Sequence, residues 1–362
     1  MVDWTQTTLN DVASFQRGHD LPSQTRRSGT IPIIGSFGVT GYHDTALYPG
    51  PGVAIGRSGA AIGTATLVES AYWPLNTCLF VRDFHGNDPH WVYWRLKTID
   101  FTAYNSGSAQ PSLNRNFLGD IPVSLPPLPE QQAIAEVLGA LDDKIAANRA
   151  LVATMEQLMT AKIAALPITG ALEDLCSLSK QSVSPESMAP EVWHYSLPAF
   201  DAGALPSLEK REDIKSNKFV VAQPSVLLSK LNPRFPRVWN LPSPQKDSVA
   251  STEFLVLEPR ALDSSVLWAL LSSPRVSGFL GEHAAGTSGS HQRVKPGEVM
   301  QLPMPTVVPH DLAEELAALG LRGEAARHEA ATLASLQDTL LPALMDGTLR
   351  VKDVEKTVSE AL

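Results

Sequence analysis

Twice along this chain, a run of prolines is followed at once by a long segment with a coiled-coil spacing of apolar residues. The first is "LPPLPEQQAIAEVLGALDDKIAANRALVATMEQL", Leu125 to Leu158; the second is "LPMPTVVPHDLAEELAALGLRGEAARHEAATLASLQDTLLPALMDG", Leu302 to Gly347. Proline breaks a helix interior but suits its opening turn, and Pro129 fits a first helical position. No further proline occurs before Pro167. A helix of that span, at ~1.5 Å per residue, reaches on the order of 55 Å. The first segment places Ile134, Leu138, Leu141, Ile145, Asn148, Val152, Met155 and Met159 at alternating steps of four and three. The second does the same with Leu312, Leu316, Leu319, Gly323, Ala326, Ala330, Leu333, Gln337, Leu340 and Leu344. This 3.5-residue period marks a helix–helix seam. Asn148 and Gln337 are polar positions suited to fixing its register, and the small residues around Gly323 suit a close approach of two backbones. Pro342 is expected to distort the last turn of the second helix.

The segments between also repeat. "TTLNDVASF" (Thr7–Phe15) parallels "GALEDLCSL" (Gly170–Leu178), and "GVAIGRSG" (Gly52–Gly59) parallels "SVLLSKLN" (Ser225–Asn232), an apolar strand ending in Arg57 or Lys230. "NTCLFVRD" (Asn76–Asp83) parallels "STEFLVLEP" (Ser251–Pro259). Helix-like "PHWVYWRLKTIDF" (Pro89–Phe101) and "DSSVLWALLSS" (Asp263–Ser273) follow, then "SGSAQPSLNRNFLGDIPVSLPP" (Ser106–Pro127) and "GTSGSHQRVKPGEVMQLPMP" (Gly286–Pro305). "DGTLRV" after the second helix resembles "TGALED" after the first. The expected fold is α+β: two globules separated by two long antiparallel helices that form a coiled coil, with a pseudo-two-fold internal repeat. Expected boundaries are 1–127 and 168–306 for the globules, 128–167 and 307–346 for the spacer helices, and 347–362 for a tail.

The formal charge of −9 argues at first against a nucleic-acid partner. Its distribution changes that. Residues 1–125 carry 8 basic and 9 acidic side chains and residues 170–306 carry 13 and 14, whereas residues 307–362 carry 5 and 10. The acid excess therefore lies mostly on the helical segments. Between Asp213 and Asp247, 33 residues hold Lys215, Lys218, Lys230, Arg234, Arg237 and Lys246 and no acid. For a phosphate backbone, patches matter more than totals.

No apolar run approaches membrane-spanning length, and "MVDWTQTTLND" lacks a signal peptide's basic and apolar regions. Cys78 and Cys176, each among apolar neighbours, read as reduced thiols packed in a core, so the expected compartment is the cytoplasm. The chain shows neither a G-x-x-x-x-G-K-[ST] loop nor H-E-x-x-H or C-x-x-C metal spacing. "GRSGAAIG" (Gly56–Gly63) lacks dinucleotide-binding spacing and reads as a tight turn where backbone comes close to a neighbour. "LNPRFP" (Leu231–Pro236) matches an amino-methyltransferase loop poorly because Arg234 interrupts it, and His85 and His90 read as a solvated loop. These readings argue against an enzyme and against a metal.

The segment "PPLPEQQAIAEVLGALDDKI", preceded by "GSAQPSLNRNFLGDIPV" and repeated in the second half, resembles the specificity subunit of type I restriction–modification enzymes. "GSFGVTGYHD" (Gly35–Asp44), "GVAIGRSGAAIGTATLV" (Gly52–Val68), "GTSGSHQRV" and "GEVMQLPMP" carry the likeness further. The second spacer departs from it, with "VVPHDLAEELAAL" where "LPEQQAIAEVL" is expected. The resemblance implies that the globules are target-recognition domains, each binding one half of a split, asymmetric target in double-stranded DNA, with the helices setting the gap. It implies no catalysis and no bound cofactor in this chain. Two methyltransferase subunits, themselves binding S-adenosylmethionine, would dock along the helices, and motor-nuclease subunits would join them. The expected docking and seam residues are Ile134, Leu138, Leu141, Ile145, Val152, Met155, Leu316, Leu319, Leu333 and Leu340.

Base discrimination needs side chains with paired donors or acceptors on loops that enter a groove. The candidates in the first globule are Ser36, Tyr42 and His43, then Arg57 and Ser58, then Ser108, Gln110, Asn114 and Arg115. In the second they are Lys230, Asn232, Arg234 and Arg237, then Ser290, His291, Gln292 and Arg293. Arg57, Lys230 and Arg237 suit phosphate better than bases. The bland reading of the Ser, Asn and Gln positions is that they close turns in their own loops. Trp73, Trp91, Trp94, Trp193, Trp239 and Trp268 are assigned to cores. Two other readings stay open: a helical-hairpin scaffold whose globules bind proteins, and a single-chain methyltransferase.

Overall fold

The structure, a computed structural model, describes residues 4–104, 112–284, 292–354 and 358. It divides into two compact units, Met1–Ile145 with Thr332–Leu362, and Ala146–Ala331.

The first unit is built on a four-stranded antiparallel sheet in the order Ser14–Arg17, Cys78–Asp83, Gly52–Gly56, Ala65–Val68. Gly52–Gly56 is buried throughout, as a short apolar run covered on both faces should be. One side packs Ala54 and Phe80 with Ile34 and Tyr72. Helix Pro89–Lys97 lies against Gly52–Gly56 and Ala65–Val68 and buries Trp91 and Trp94. Its start is fixed by Asp88, whose carboxylate accepts the Trp91 N–H at 2.9 Å, with a proline in the first turn. A second sheet places Ile31–Gly35 between Gly38–His43 and the short strand Trp73–Pro74. Thr5–Thr8 pairs antiparallel with Pro122–Leu125 and so ties the start of the chain to the run leading into the first long helix.

The second unit repeats this frame. Its four-stranded sheet runs Cys176–Ser179, Phe254–Pro259, Ser225–Ser229, Val238–Leu241, the same strand order and the same antiparallel sense. Helix Ser264–Leu271 is capped by Asp263, which accepts the Ser265 N–H at 2.7 Å. Gly170–Ala171 pairs with Pro303–Met304, as Thr5–Thr8 does with Pro122–Leu125. Even the short helices agree: the Leu9 N–H donates to the Ile121 carbonyl and the Leu172 N–H to the Leu302 carbonyl. The second sheet here has five strands in the order Ser182–Val183, Lys218–Val220, Ser248–Ala250, Glu191–Tyr195, Ser207–Lys210; the last three pair in the same senses as Trp73–Pro74, Ile31–Gly35 and Gly38–His43, and the first two are added.

The long helices run from Leu128 to Ile163 and from His310 to Asp346. Gln131 anchors the first: its amide donates to Asn87 Oδ1 (2.8 Å) and the Pro126 carbonyl (2.9 Å), and its oxygen accepts the Asp88 N–H (2.9 Å). Within the first unit Ile134, Leu138, Leu141, Ile145, Leu333 and Leu340 are buried, and Gln337 Nε2 donates to the Leu138 carbonyl at 3.1 Å. Within the second, Val152, Met155 and Leu316 are buried and Leu319 is half-buried. There Glu156 pairs with Arg327 at 2.6 Å and Lys162 with Glu315 at 2.9 Å, so the two segments run in opposite directions inside that unit.

Three details refine the sequence reading. Pro342 lies inside the second helix without ending it; the stop comes at Gly347, whose positive φ of 79° lets the Leu349 N–H reach the Ala343 carbonyl. The glycine that admits a close neighbour is Gly320 rather than Gly323. A Cβ on Gly320 would sit 2.1 Å from Ser265 Oγ and 2.4 Å from Ser265 Cβ, whereas one on Gly323 would meet nothing within 4 Å among the described residues. Trp73 and Trp193 are only half-buried, while the other four tryptophans of that set are in cores.

Candidate nucleic-acid interface

The strand Gly52–Gly56 ends at Arg57, and three loops meet there. The Arg57 N–H donates to the Thr77 carbonyl (3.2 Å) and its own carbonyl accepts the Leu113 N–H (2.7 Å). Ser58 bridges to Ser112. The turn of the hairpin Ile31–Gly35/Gly38–His43 joins them, since Ser36 Oγ donates to the Thr77 carbonyl at 2.6 Å. Gly56 is required at this junction because a Cβ there would lie 1.9 Å from the Ala61 carbonyl and 2.6 Å from that of Ser36. The structure therefore brings together Ser36, Arg57 and Ser58, with exposed Asn114 and Arg115 on the following turn.

The second unit makes the same junction with different residues. The Lys230 N–H donates to the Glu253 carbonyl (2.8 Å) and the Lys230 carbonyl accepts the Val294 N–H (3.2 Å). Leu231 bridges to Arg293, and the Asn232 N–H donates to the Gln292 carbonyl at 2.9 Å. Lys230, Asn232, Gln292 and Arg293 thus converge, and Asn232 takes the left-handed conformation with φ of 54°. A recess of about 550 Å³ beside them is lined by Lys180 and Lys230, among others.

Charge at these junctions is partly spent. Arg293 makes a two-pronged ion pair with Glu253 (2.9 and 3.1 Å), which holds the Glu253 carboxyl below its ordinary range. Burial pulls the Lys230 ammonium down, with Glu253 opposing and Arg293 adding to the fall. Arg237 is paired just as closely with Asp201 (2.7 and 2.9 Å). Lys218 is buried, its ammonium on the Ser216 carbonyl and hydroxyl. Arg234 stays exposed. The acid-free stretch therefore presents less free positive charge than its sequence implies.

His43 needs correcting as a candidate reader. It is 3% exposed, its Nδ1 accepts the Arg27 N–H at 3.0 Å, and its ring stands edge-on to Trp73 at 5.5 Å. Strand alternation explains this: along Gly38–His43 the neighbour Tyr42 points outward, 59% exposed, and His43 must point in. Asn114 is exposed but its side chain already caps the next turn, accepting the Asn116 N–H at 3.1 Å. Ser108, Gln110, Ser290 and His291 lie outside the described residues. Among the described residues no cluster of three or more His, Cys, Asp or Glu side chains could hold a metal, and no helix is long and apolar enough to cross a membrane.

The first of these junctions lies inside a stretch that matches a known family model. Residues 1–157 match the family model described as the type I restriction modification DNA specificity domain. The chain is 25% identical over 146 residues to the Escherichia coli type I restriction enzyme EcoprrI specificity subunit, covering 39% of this chain and 36% of that protein. It is 27% identical over 145 residues to a putative type I restriction enzyme specificity subunit of Haemophilus influenzae, covering 39% of this chain and 37% of that protein. Each match thus spans little more than a third of those curated relatives. The fold itself is shared more widely. The crystal structure of the type I restriction–modification S subunit from M. genitalium superposes with a TM-score of 0.66 at 15% identity, over 95% of this chain and 96% of that one.

Sequence reasoning missed the carbonyl acceptors at Thr77 and Glu253, which carry no side-chain signal. It also missed the anchor Gln131 and the outward phenylalanines Phe37 and Phe235. The close backbone approach read from "GRSGAAIG" is present at Gly56, and again at Gly63, where a Cβ would collide with the Phe101 ring.

Proposed function

We propose that this chain is the non-catalytic, DNA-reading subunit of a type I restriction–modification complex. The observation that carries the proposal is the junction built twice on one hydrogen-bonding plan, Arg57 in one unit and Lys230 in the other, with the first inside a stretch that matches a DNA specificity domain model. A repeated reading head with unlike side chains suits a split, asymmetric target. Residues 1–127 and 168–306 act as the two target-recognition domains. Residues 128–167 and 307–346 pair as an antiparallel coiled coil that sets the gap between half-sites, with 347–362 as a tail. Arg57, Lys230, Arg234 and Arg115 contact phosphate or guanine; Tyr42, Ser58, Asn232 and Gln292 read base edges, and Ser36 and Asn114 do so only by releasing the Thr77 carbonyl and the Asn116 N–H. Ser108, Gln110, Ser290 and His291 remain candidates from the sequence. Arg237 and Arg293 hold their loops through Asp201 and Glu253 and reach DNA only by exchanging those partners.

Chemistry belongs to the partners: two methyltransferase subunits carrying S-adenosylmethionine, docked on the long helices, and motor-nuclease subunits, all acting in the cytoplasm. The test is a map of methylated adenines in cells that express the partner genes with and without this chain. The expected result is one bipartite motif that vanishes with the chain. Methylation that is the same in both cells would refute the assignment.

A further inference from the structure

Among the described residues the two most exposed large apolar side chains are phenylalanines, Phe235 at 73% and Phe37 at 72%. Each lies beside the basic junction of its own unit, and different elements bring them there. Phe37 occupies the two-residue turn between Ile31–Gly35 and Gly38–His43, its neighbour Ser36 bonded to the Thr77 carbonyl and pressed against Gly56, the residue before Arg57. Phe235 occupies the loop from Lys230 to Arg237 that joins the strands Ser225–Ser229 and Val238–Leu241, next to exposed Arg234. That loop is pinned as well, by the Phe235 N–H on the Asn232 carbonyl (3.0 Å) and the Ser229 N–H on the Arg237 carbonyl (2.9 Å).

A ring held outward on a braced turn has given up the chance to bury its own surface, which costs free energy in the free protein. Beside cationic and hydrogen-bonding groups, the surface that best recovers this loss is another aromatic stack flanked by phosphate. We propose that Phe37 and Phe235 are wedges that insert between adjacent base pairs of duplex DNA, one per unit, partly unstacking a step while the nearby basic residues hold the backbone. This rests on the DNA-reading proposal above and adds to it a deformation of the duplex, so that part of the sequence preference comes from how readily a step unstacks. Pyrimidine–purine steps, the softest, are the expected insertion points.

The test uses the full chain with two probes, a fluorescent 40-base-pair mixed-sequence duplex and a relaxed closed-circular plasmid treated with topoisomerase. Wild-type protein should bind the duplex with an affinity that falls steeply with salt and should leave the plasmid with a reduced linking number. The double variant Phe37→Ala/Phe235→Ala should bind roughly a hundredfold more weakly, about tenfold for each lost aromatic stack, with an unchanged salt slope and with the unwinding abolished. Phe37→Leu/Phe235→Leu, which keeps an apolar wedge, should retain most of the unwinding. If the alanine variant binds and unwinds like the wild type, the wedge is overturned and the DNA-reading proposal stands. If the wild type shows no salt-dependent binding, both fall together. Neither side chain belongs to a core, so unfolding is not expected to obscure the result, and thermal melting of the variants checks this.

Discussion

Gly320 and Gly323 lie three residues apart in one helix, and the same substitution should act on them with opposite sign. Replacing a helix-interior glycine by alanine ordinarily stabilises by up to ~1 kcal/mol, since alanine restricts the unfolded chain more and extends the helix better. At Gly323, where a new methyl meets nothing within 4 Å among the described residues, Gly323→Ala should show that gain, about 0.5–1 kcal/mol. At Gly320 the methyl would lie 2.1 Å from Ser265 Oγ and 2.4 Å from Ser265 Cβ. Rotating the serine side chain relieves the first overlap but not the second, because Cβ moves only with the backbone. Ser265 is in the first turn of helix Ser264–Leu271, which is buried along its whole length, and its hydroxyl accepts Asn240 Nδ2 at 3.0 Å. Overpacking of this kind costs ~1–3 kcal/mol and a lost hydrogen bond a further ~0.5–1.5. After the helix-propensity gain is subtracted, Gly320→Ala should destabilise by about 1–3 kcal/mol. Urea denaturation of the full chain measures both, read as midpoint shifts at constant slope. A Gly320→Ala protein as stable as wild type would refute the packing described here.

Three other outcomes are expected. If the proposed function holds, exchanging residues 1–125 for the equivalent part of a type I restriction enzyme specificity subunit should change one half of the methylated motif and leave the other, as read by adenine-methylation mapping. Leu138→Asp puts a carboxylate at a fully buried seam position and should cost on the order of 4 kcal/mol, visible as a large drop in denaturation midpoint. Burial pushes the Cys78 and Cys176 thiols up to about 12, so both should resist alkylation at pH 8 until the chain is unfolded. Because the folded values are raised, that contribution to stability is intact below the ordinary thiol range near 9 and fades as pH rises toward 12; melting temperature followed from pH 8 to 11 should fall, and fall less in a Cys78→Ser/Cys176→Ser protein.

The frame of each unit was legible because its signals are local. Apolar runs such as "GVAIG" and "SVLLS", aspartates before "PHWVYW" and "SSVLWA", and proline before each long helix all specify an element within a few residues. Their repetition pointed to a correspondence between halves, and the two four-stranded sheets share one strand order. The second sheets were not legible. Their strands are short and include parallel pairings between distant segments, Ile31–Gly35 with Trp73–Pro74 and Glu191–Tyr195 with Ser248–Ala250, which no local sequence signal announces. The candidate readers show the same division. Placement beside a buried strand located Arg57 and Lys230, whereas the pairing of Arg237 with Asp201 and of Arg293 with Glu253 depends on residues 36 and 40 positions away. His43 was misplaced because the sequence of the hairpin does not say which face of a two-sided strand meets the core.

A frame kept in common, and a second sheet extended in just one unit, suggest how such a protein could be re-engineered. The braced ends at Arg57 and Lys230 form a socket on the shared sheet, and the second sheet, three strands in one case and five in the other, is the part that varies in size between them. Transplanting that part between sockets, with the hydrogen bonds to the Thr77 or Glu253 carbonyl left intact, would graft new preferences while the chassis keeps its shape.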